Sequence, residues 1–238
     1  GRIHGPIWQS VKREFRQFIK INGENTVEYD ICSAFPALAY ARSGWDVTKS
    51  VEQERKAYDV TCLDTTNKKL RDLVKLAFLC MLNGESQDSA VKAIAREISK
   101  KRLKPALPEG VKARTIVEEL EEKHRNLKDW FYNCAWKELS KLESNVCVDV
   151  LTHFVNKNIP VLPVHDSFVI QEQHGDELKK VLIESFAKVA DYKFKFPELL
   201  VEKKKKEKSY LEEYAKDTLD LARLYKETYK NKNKLFKT

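Results

Sequence analysis

Two β-forming stretches stand far apart in this chain with a long helical region between them, and that order constrains the fold most tightly. The first is IKINGENTVEYDI, where Asn22-Gly23 sits between alternating apolar runs. Asn-Gly readily supplies the positive-φ pair of a type I′ turn, so the stretch reads as a β-hairpin. Its second strand, about residues 26–31, delivers Asp30 at its end. The second stretch is IPVLPVHDSFVIQE, in which runs 159–164 and 168–171 flank His165-Asp166-Ser167 as a hairpin with an acidic residue at its bend. Between them the apolar spacing predicts helices over 37–43, 67–82 and 89–102, then a charged helical region over 113–142, broken once, and a helix over 146–157. Pro36 blocks strand continuation, Asn83-Gly84 is a helix stop, and Pro105 and Pro108 bound a loop. A helix over 176–189 and a short strand over 199–202 follow. Residues 11–19 are amphipathic and basic, and a helix over 209–229 ends the chain. No internal repeat occurs. The expected class is α+β: a small antiparallel sheet with a helical insertion.

The 238 residues are 42% hydrophobic and 34% charged, enough for a buried core in one large domain or two small ones. No run of about 18 apolar residues exists, which excludes a membrane helix. No secretory pattern opens the sequence. The five cysteines are scattered, odd in number and free of C-x-x-C pairs, which fits a reducing compartment and argues against structural zinc. An intracellular, cytoplasmic protein is therefore expected. Only 7 residues are glycine, none in a dinucleotide or P-loop motif. Net charge is +8, which invites a polyanionic partner. From Lys203 onward there are 12 basic and 6 acidic residues, against 32 and 30 before it. A body this close to neutral must grip a polyanion through local patches.

Asp30 and Asp166 both lie in otherwise apolar sheet-forming sequence, where an unpaired charge is costly. Two carboxylates converging from neighbouring strands suit a hard cation such as Mg²⁺. Two such ions, roughly 3.5–4 Å apart, can clamp the attacking and leaving oxygens of a phosphoryl displacement. The plainer alternative makes Asp30 a strand-end cap and Asp166 a turn residue.

The strings around these residues carry a resemblance. EYDICSAFPAL, around Asp30, resembles motif A of template-dependent polymerases, closest to the family B form of Asp, two residues, Ser, one residue, an aromatic and Pro. PVHDSFVIQE, around Asp166, resembles motif C of family A DNA polymerases and single-subunit phage RNA polymerases. RDLVKLAFLCMLNG resembles motif B of those two groups, matching its Arg, Lys and Gly spacing at Arg71, Lys75 and Gly84. The A–B–C order is that of a right-hand palm interrupted by fingers, and the likeness covers roughly residues 16–202. It implies a palm in two parts, 1–65 and 143–202, a fingers-like insertion over 66–142, and a basic helical tail over 203–238.

By that resemblance Asp30 and Asp166, with the Ile31 carbonyl, hold two Mg²⁺ ions, for which Mn²⁺ can substitute. Arg71 and Lys75, one helical turn apart, neutralise the triphosphate, and Lys75 is the general acid for its leaving group. Phe35 stands where family B polymerases and reverse transcriptases carry the ring that blocks a ribose 2′-OH, and where family A enzymes carry Glu. Asn83 replaces the expected fingers tyrosine beside the nucleotide. His165 supports the primer end. Glu143 and Ser144 touch the primer–template minor groove, and Lys203, Lys204, Lys205 and Lys206 grip the phosphate backbone. Each role has a plainer counterpart: a solvated helix face for Arg71 and Lys75, a core ring for Phe35, a backbone-satisfied ring for His165, a flexible end for the lysines.

Only 29 residues precede Asp30, so neither an exonuclease domain nor a thumb is expected within the chain. Thumb function would come from the tail, a further domain or a partner chain. The first reading is a DNA polymerase of a virus or mobile element, acting in the host cell if viral, with primer–template and deoxynucleoside triphosphates as partners and no membrane. Phe35 favours it. The His-Asp-Ser form of motif C favours an RNA polymerase or primase-like enzyme instead. A third reading is a non-catalytic nucleic-acid-binding protein on a decayed palm.

Overall fold

A computed structural model describes residues 6–45, 57–194 and 201–204, which form a mixed helix-and-sheet fold around a small antiparallel sheet. Strands β1 (Lys20–Ile21) and β2 (Glu24–Ile31) are joined by Asn22 at φ 53° and Gly23 at φ 85°. Ile21 pairs with Glu24, so this is the two-residue, positive-φ turn expected from Asn-Gly. Strands β3 (Val161–Val164) and β4 (Ser167–Gln171) form the second hairpin around His165-Asp166. The sheet order is β1-β2-β4-β3, and β5 (Val201–Lys203) pairs with β2 on the side away from β4.

Strand β2 is therefore central, and its alternation sorts the chemistry. Val27, Tyr29 and Ile31 are buried against the core, while Glu28 and Asp30 share the opposite face. Directly opposite residues share a face, so Phe168 joins Tyr29 in the core and Ser167 joins Asp30 on the polar side. The outer edge at β3 is not left bare. The Trp8 indole and the Gln9 amide, from a short 3₁₀ helix at Ile7–Ser10, both donate to the Pro163 carbonyl at 3.1 Å.

Seven α-helices surround the sheet among the described residues: α1 (Arg13–Arg16), α2 (Ala34–Arg42), α3 (Lys68–Asn83), α4 (Gln87–Lys100), α5 (Ala113–Lys123), α6 (Trp136–Val155) and α7 (Gly175–Ala190). Helix α3 starts where Asn67 caps it, its side chain accepting from the Lys69 N–H, and it buries Leu70, Leu73, Val74, Ala77, Phe78, Met81 and Leu82. Two carbonyls at its C-terminus, Met81 and Leu82, accept from the Tyr132 and Ala135 N–H groups of the segment that leads into α6. The ends of these two helices are thereby tied together. One continuous apolar core runs from Val27 and Ile31 through α3 to Ile94 and Ile116.

Gly84 follows the last residue of α3, as expected, with φ −70°, and a Cβ there would lie 2.9 Å from the Cys80 carbonyl oxygen. Two expectations need correction. The polar run around Ser144 does not separate two helices, because α6 is continuous from Trp136 to Val155. Its buried stripe of Leu139, Glu143, Val146, Val150 and Phe154 carries straight across that run. The basic stretch 11–19, for which the sequence assigns no element, holds one turn of helix, α1. Glu143 is buried on the inner stripe of α6 and is not exposed on the helix's outer surface. The helix expected over 209–229, with Lys205 and Lys206 before it, lies outside the described residues.

Candidate active site

Asp30 and Asp166 come together because β2 and β4 pair in register. Asp30 lies opposite Ser167, and the Ile31 N–H donates to the Asp166 carbonyl at 3.2 Å. Both aspartates are flanked by residues in the left-handed region, Ser33 at φ 51° and His165 at φ 58°, a conformation that costs a non-glycine residue about 1–2 kcal/mol. The Ser33 bend turns the chain from β2 into α2, and the His165 bend makes the tight hairpin that presents Asp166.

The two carboxylates open onto a cleft of about 290 Å³ that is also lined by Ile31, Phe35, Tyr58, Lys75 and Glu143. Three stretches that are distant in sequence thus contribute to one site. Burial pushes the Asp166 carboxyl above its ordinary range, and the neighbouring charges of Glu143 and Asp30 push it the same way. Negative charge is concentrated here, which is the condition that a bound cation relieves. Among the described residues no group of three His, Cys, Asp or Glu side chains is arranged to hold a metal ion. Asp30, Asp166 and Ile31, the three residues that the resemblance assigns to metal binding, all line this cleft.

Cations approach from two directions. Lys204, just beyond β5, places its ammonium 2.5 Å from Asp30 Oδ2 and 3.8 Å from Glu28 Oε1. Glu28 is otherwise gripped by Arg16 through two contacts of 2.8 and 3.1 Å and by the Ser167 hydroxyl at 2.7 Å. Burial alone would raise the Glu28 carboxyl, but Arg16, Ser167 and Lys204 together hold it below its ordinary value. On the other side, the Lys75 ammonium lies over the Tyr58 ring at 5.5 Å and the Arg71 guanidinium over the same ring at 5.8 Å. Arg71 also reaches Asp59 at 3.4 Å. Residues in the 46–59 region gave no sequence signal, so Tyr58 and Asp59 were not anticipated as the platform for these two cations.

The remaining expected residues are dispersed. Arg71 is half-buried one turn from the cleft, Asn83 is exposed at the far end of α3, and Ser144 is half-buried on α6; none of these three lines the cleft. His165 is exposed and, with Asp166, borders a small apolar cavity. Lys203 is exposed and pairs with Glu172 at 3.7 Å. The surprise is Lys204, which faces a carboxylate of the site and is largely buried.

No family model matches the chain, and no curated protein matches it. No helix among the described residues is long and apolar enough to cross a membrane.

Proposed function

We propose that this chain catalyses template-directed nucleotidyl transfer, adding deoxynucleotides to a primer 3′-OH, on a right-hand palm. The observation that carries this reading is the meeting of Asp30, Phe35, Lys75 and Asp166 in one cleft, from the three stretches whose strings resemble motifs A, B and C. Asp30, Asp166 and the Ile31 carbonyl would hold divalent cations such as Mg²⁺, which lower the pKa of the attacking hydroxyl and neutralise the leaving pyrophosphate. Lys75, exposed on the opposite wall, binds the triphosphate and gives a proton to the departing phosphate oxygen. Arg71 exchanges its long contact with Asp59 for a phosphate oxygen, which a one-third exposed guanidinium can do at little cost. Phe35, half-buried at the cleft wall, crowds the place of a ribose 2′-OH. The primer–template is held by basic residues outside the described region, by a further domain or by a partner chain.

The His165-Asp166-Ser167 string favours a second reading, an RNA polymerase or primase-like enzyme on the same site. Primer extension with Mg²⁺, on DNA and RNA templates and with each nucleotide set, decides between them. Extension with deoxynucleotides on a DNA template is the expected result. Extension with ribonucleotides alone would move the assignment to the second reading. Tight nucleic-acid binding with no nucleotide addition under any condition would overturn both and leave a binding protein.

A further inference from the structure

Lys204 does not sit where a phosphate-gripping lysine would. Its N–H donates to the Glu28 carbonyl at 2.8 Å, continuing the pairing of β5 with β2, so the backbone itself delivers the ammonium to the polar face of the sheet. The side chain is 19% exposed and that of Asp30 is 20% exposed, so solvent screens their 2.5 Å contact weakly. Glu28 does not require this cation, being already paired with Arg16 and Ser167, and it lies farther from Lys204 than Asp30 does. Lys75, which lines the cleft, is stacked on Tyr58. Among the described residues, the charge that answers the carboxylate site is therefore Lys204.

We propose that Lys204 is a built-in counter-cation of the carboxylate site, which holds Asp30 in the metal-free protein and competes with a divalent cation for it. Lys204 is thus a positioning residue that sets metal affinity. It keeps Asp30 and Asp166 from repelling each other apart before loading, and it biases the site toward releasing metal when no substrate phosphate is present to share the ion. This inference rests on the reading of Asp30 as a metal ligand.

Mn²⁺ titration of the whole chain, followed by the loss of the free-ion electron paramagnetic resonance signal, tests it without any activity assay. Lys204→Met should bind Mn²⁺ about tenfold more tightly than the wild type, the order expected when one close, partly buried competing charge is removed. Lys204→Arg retains the charge and should stay near the wild-type affinity. Lys204→Gln, which is neutral but keeps a donor beside Asp30, carries the same expectation as the methionine variant if the latter fails to fold. Melting in EDTA should show Lys204→Met less stable than wild type, with a larger gain on adding Mn²⁺. Unchanged or weaker Mn²⁺ binding by folded neutral variants, with binding still abolished by Asp30→Asn, would overturn the role of Lys204 alone. Absence of Mn²⁺ binding in every variant would overturn the metal site itself and this inference with it.

Discussion

The His124 ring makes two directional hydrogen bonds in the core. The Ala57 carbonyl, 2.9 Å from Nε2, can only accept, so Nε2 carries the proton and Nδ1 accepts from the Tyr40 hydroxyl at 2.7 Å. Burial depresses this imidazole to about 4. The unfolded ring takes up its proton near 6.5, so between those values the unfolded chain binds more protons and stability falls as the pH is lowered. Urea unfolding from pH 7 to pH 4 should lose on the order of 3 kcal/mol from this group, and His124→Gln should flatten that slope. Arg16, paired with Glu28 in a nearly buried bidentate contact, supplies a second test. Arg16→Ala leaves the Glu28 carboxylate with the Ser167 hydroxyl and the more distant Lys204 ammonium, and should cost about 3 kcal/mol in the same assay. At the cleft, Phe35→Val should raise ribonucleotide incorporation by at least about tenfold, if the ring excludes a 2′-OH by contact alone. The aspartates and Lys75 were legible as residues because a charge inside an apolar strand, or at a fixed helical spacing, stands out against its neighbours. The cation platform of Tyr58 and the inward turn of Glu143 were not, because each depends on contacts between segments far apart in sequence.

Among the elements, those with strong local signals were placed well. Asn22-Gly23 could adopt its turn without tertiary help, and Asn67 capped α3 by its own side chain. Elements governed by packing were misplaced. Helix α6 tolerates Glu143-Ser144-Asn145 in its middle because the apolar residues on either side fall on one buried stripe. Gly84 ends α3 where the sequence placed the stop, and what ties it to glycine is its close approach to the Cys80 carbonyl. Gly84→Ala therefore forces backbone to move, and should cost about 1–3 kcal/mol by urea unfolding. A glycine serving only as a conformational hinge would lose far less there, since φ −70° suits alanine.

For the whole molecule, the α+β class followed from the order of hairpins and helices, because strands too short to stand alone must pair with each other. The joining of β2 to β4, and the arrival of β5 on the other edge of β2, did not follow from any local pattern. Those pairings put two aspartates beside each other and bring Lys204 to one of them, and helix α3 adds Lys75 to the same cleft. In the proposed function, the aspartate pair performs metal-dependent nucleotide addition. Its most direct test is Mg²⁺-dependent primer extension by the wild type, Asp30→Asn and Asp166→Asn, each first matched to the wild type in circular dichroism. The account predicts extension by the wild type and a loss of at least about a thousandfold in each variant, the equivalent of several kcal/mol of transition-state stabilisation. Extension at the wild-type rate by either folded variant would contradict it.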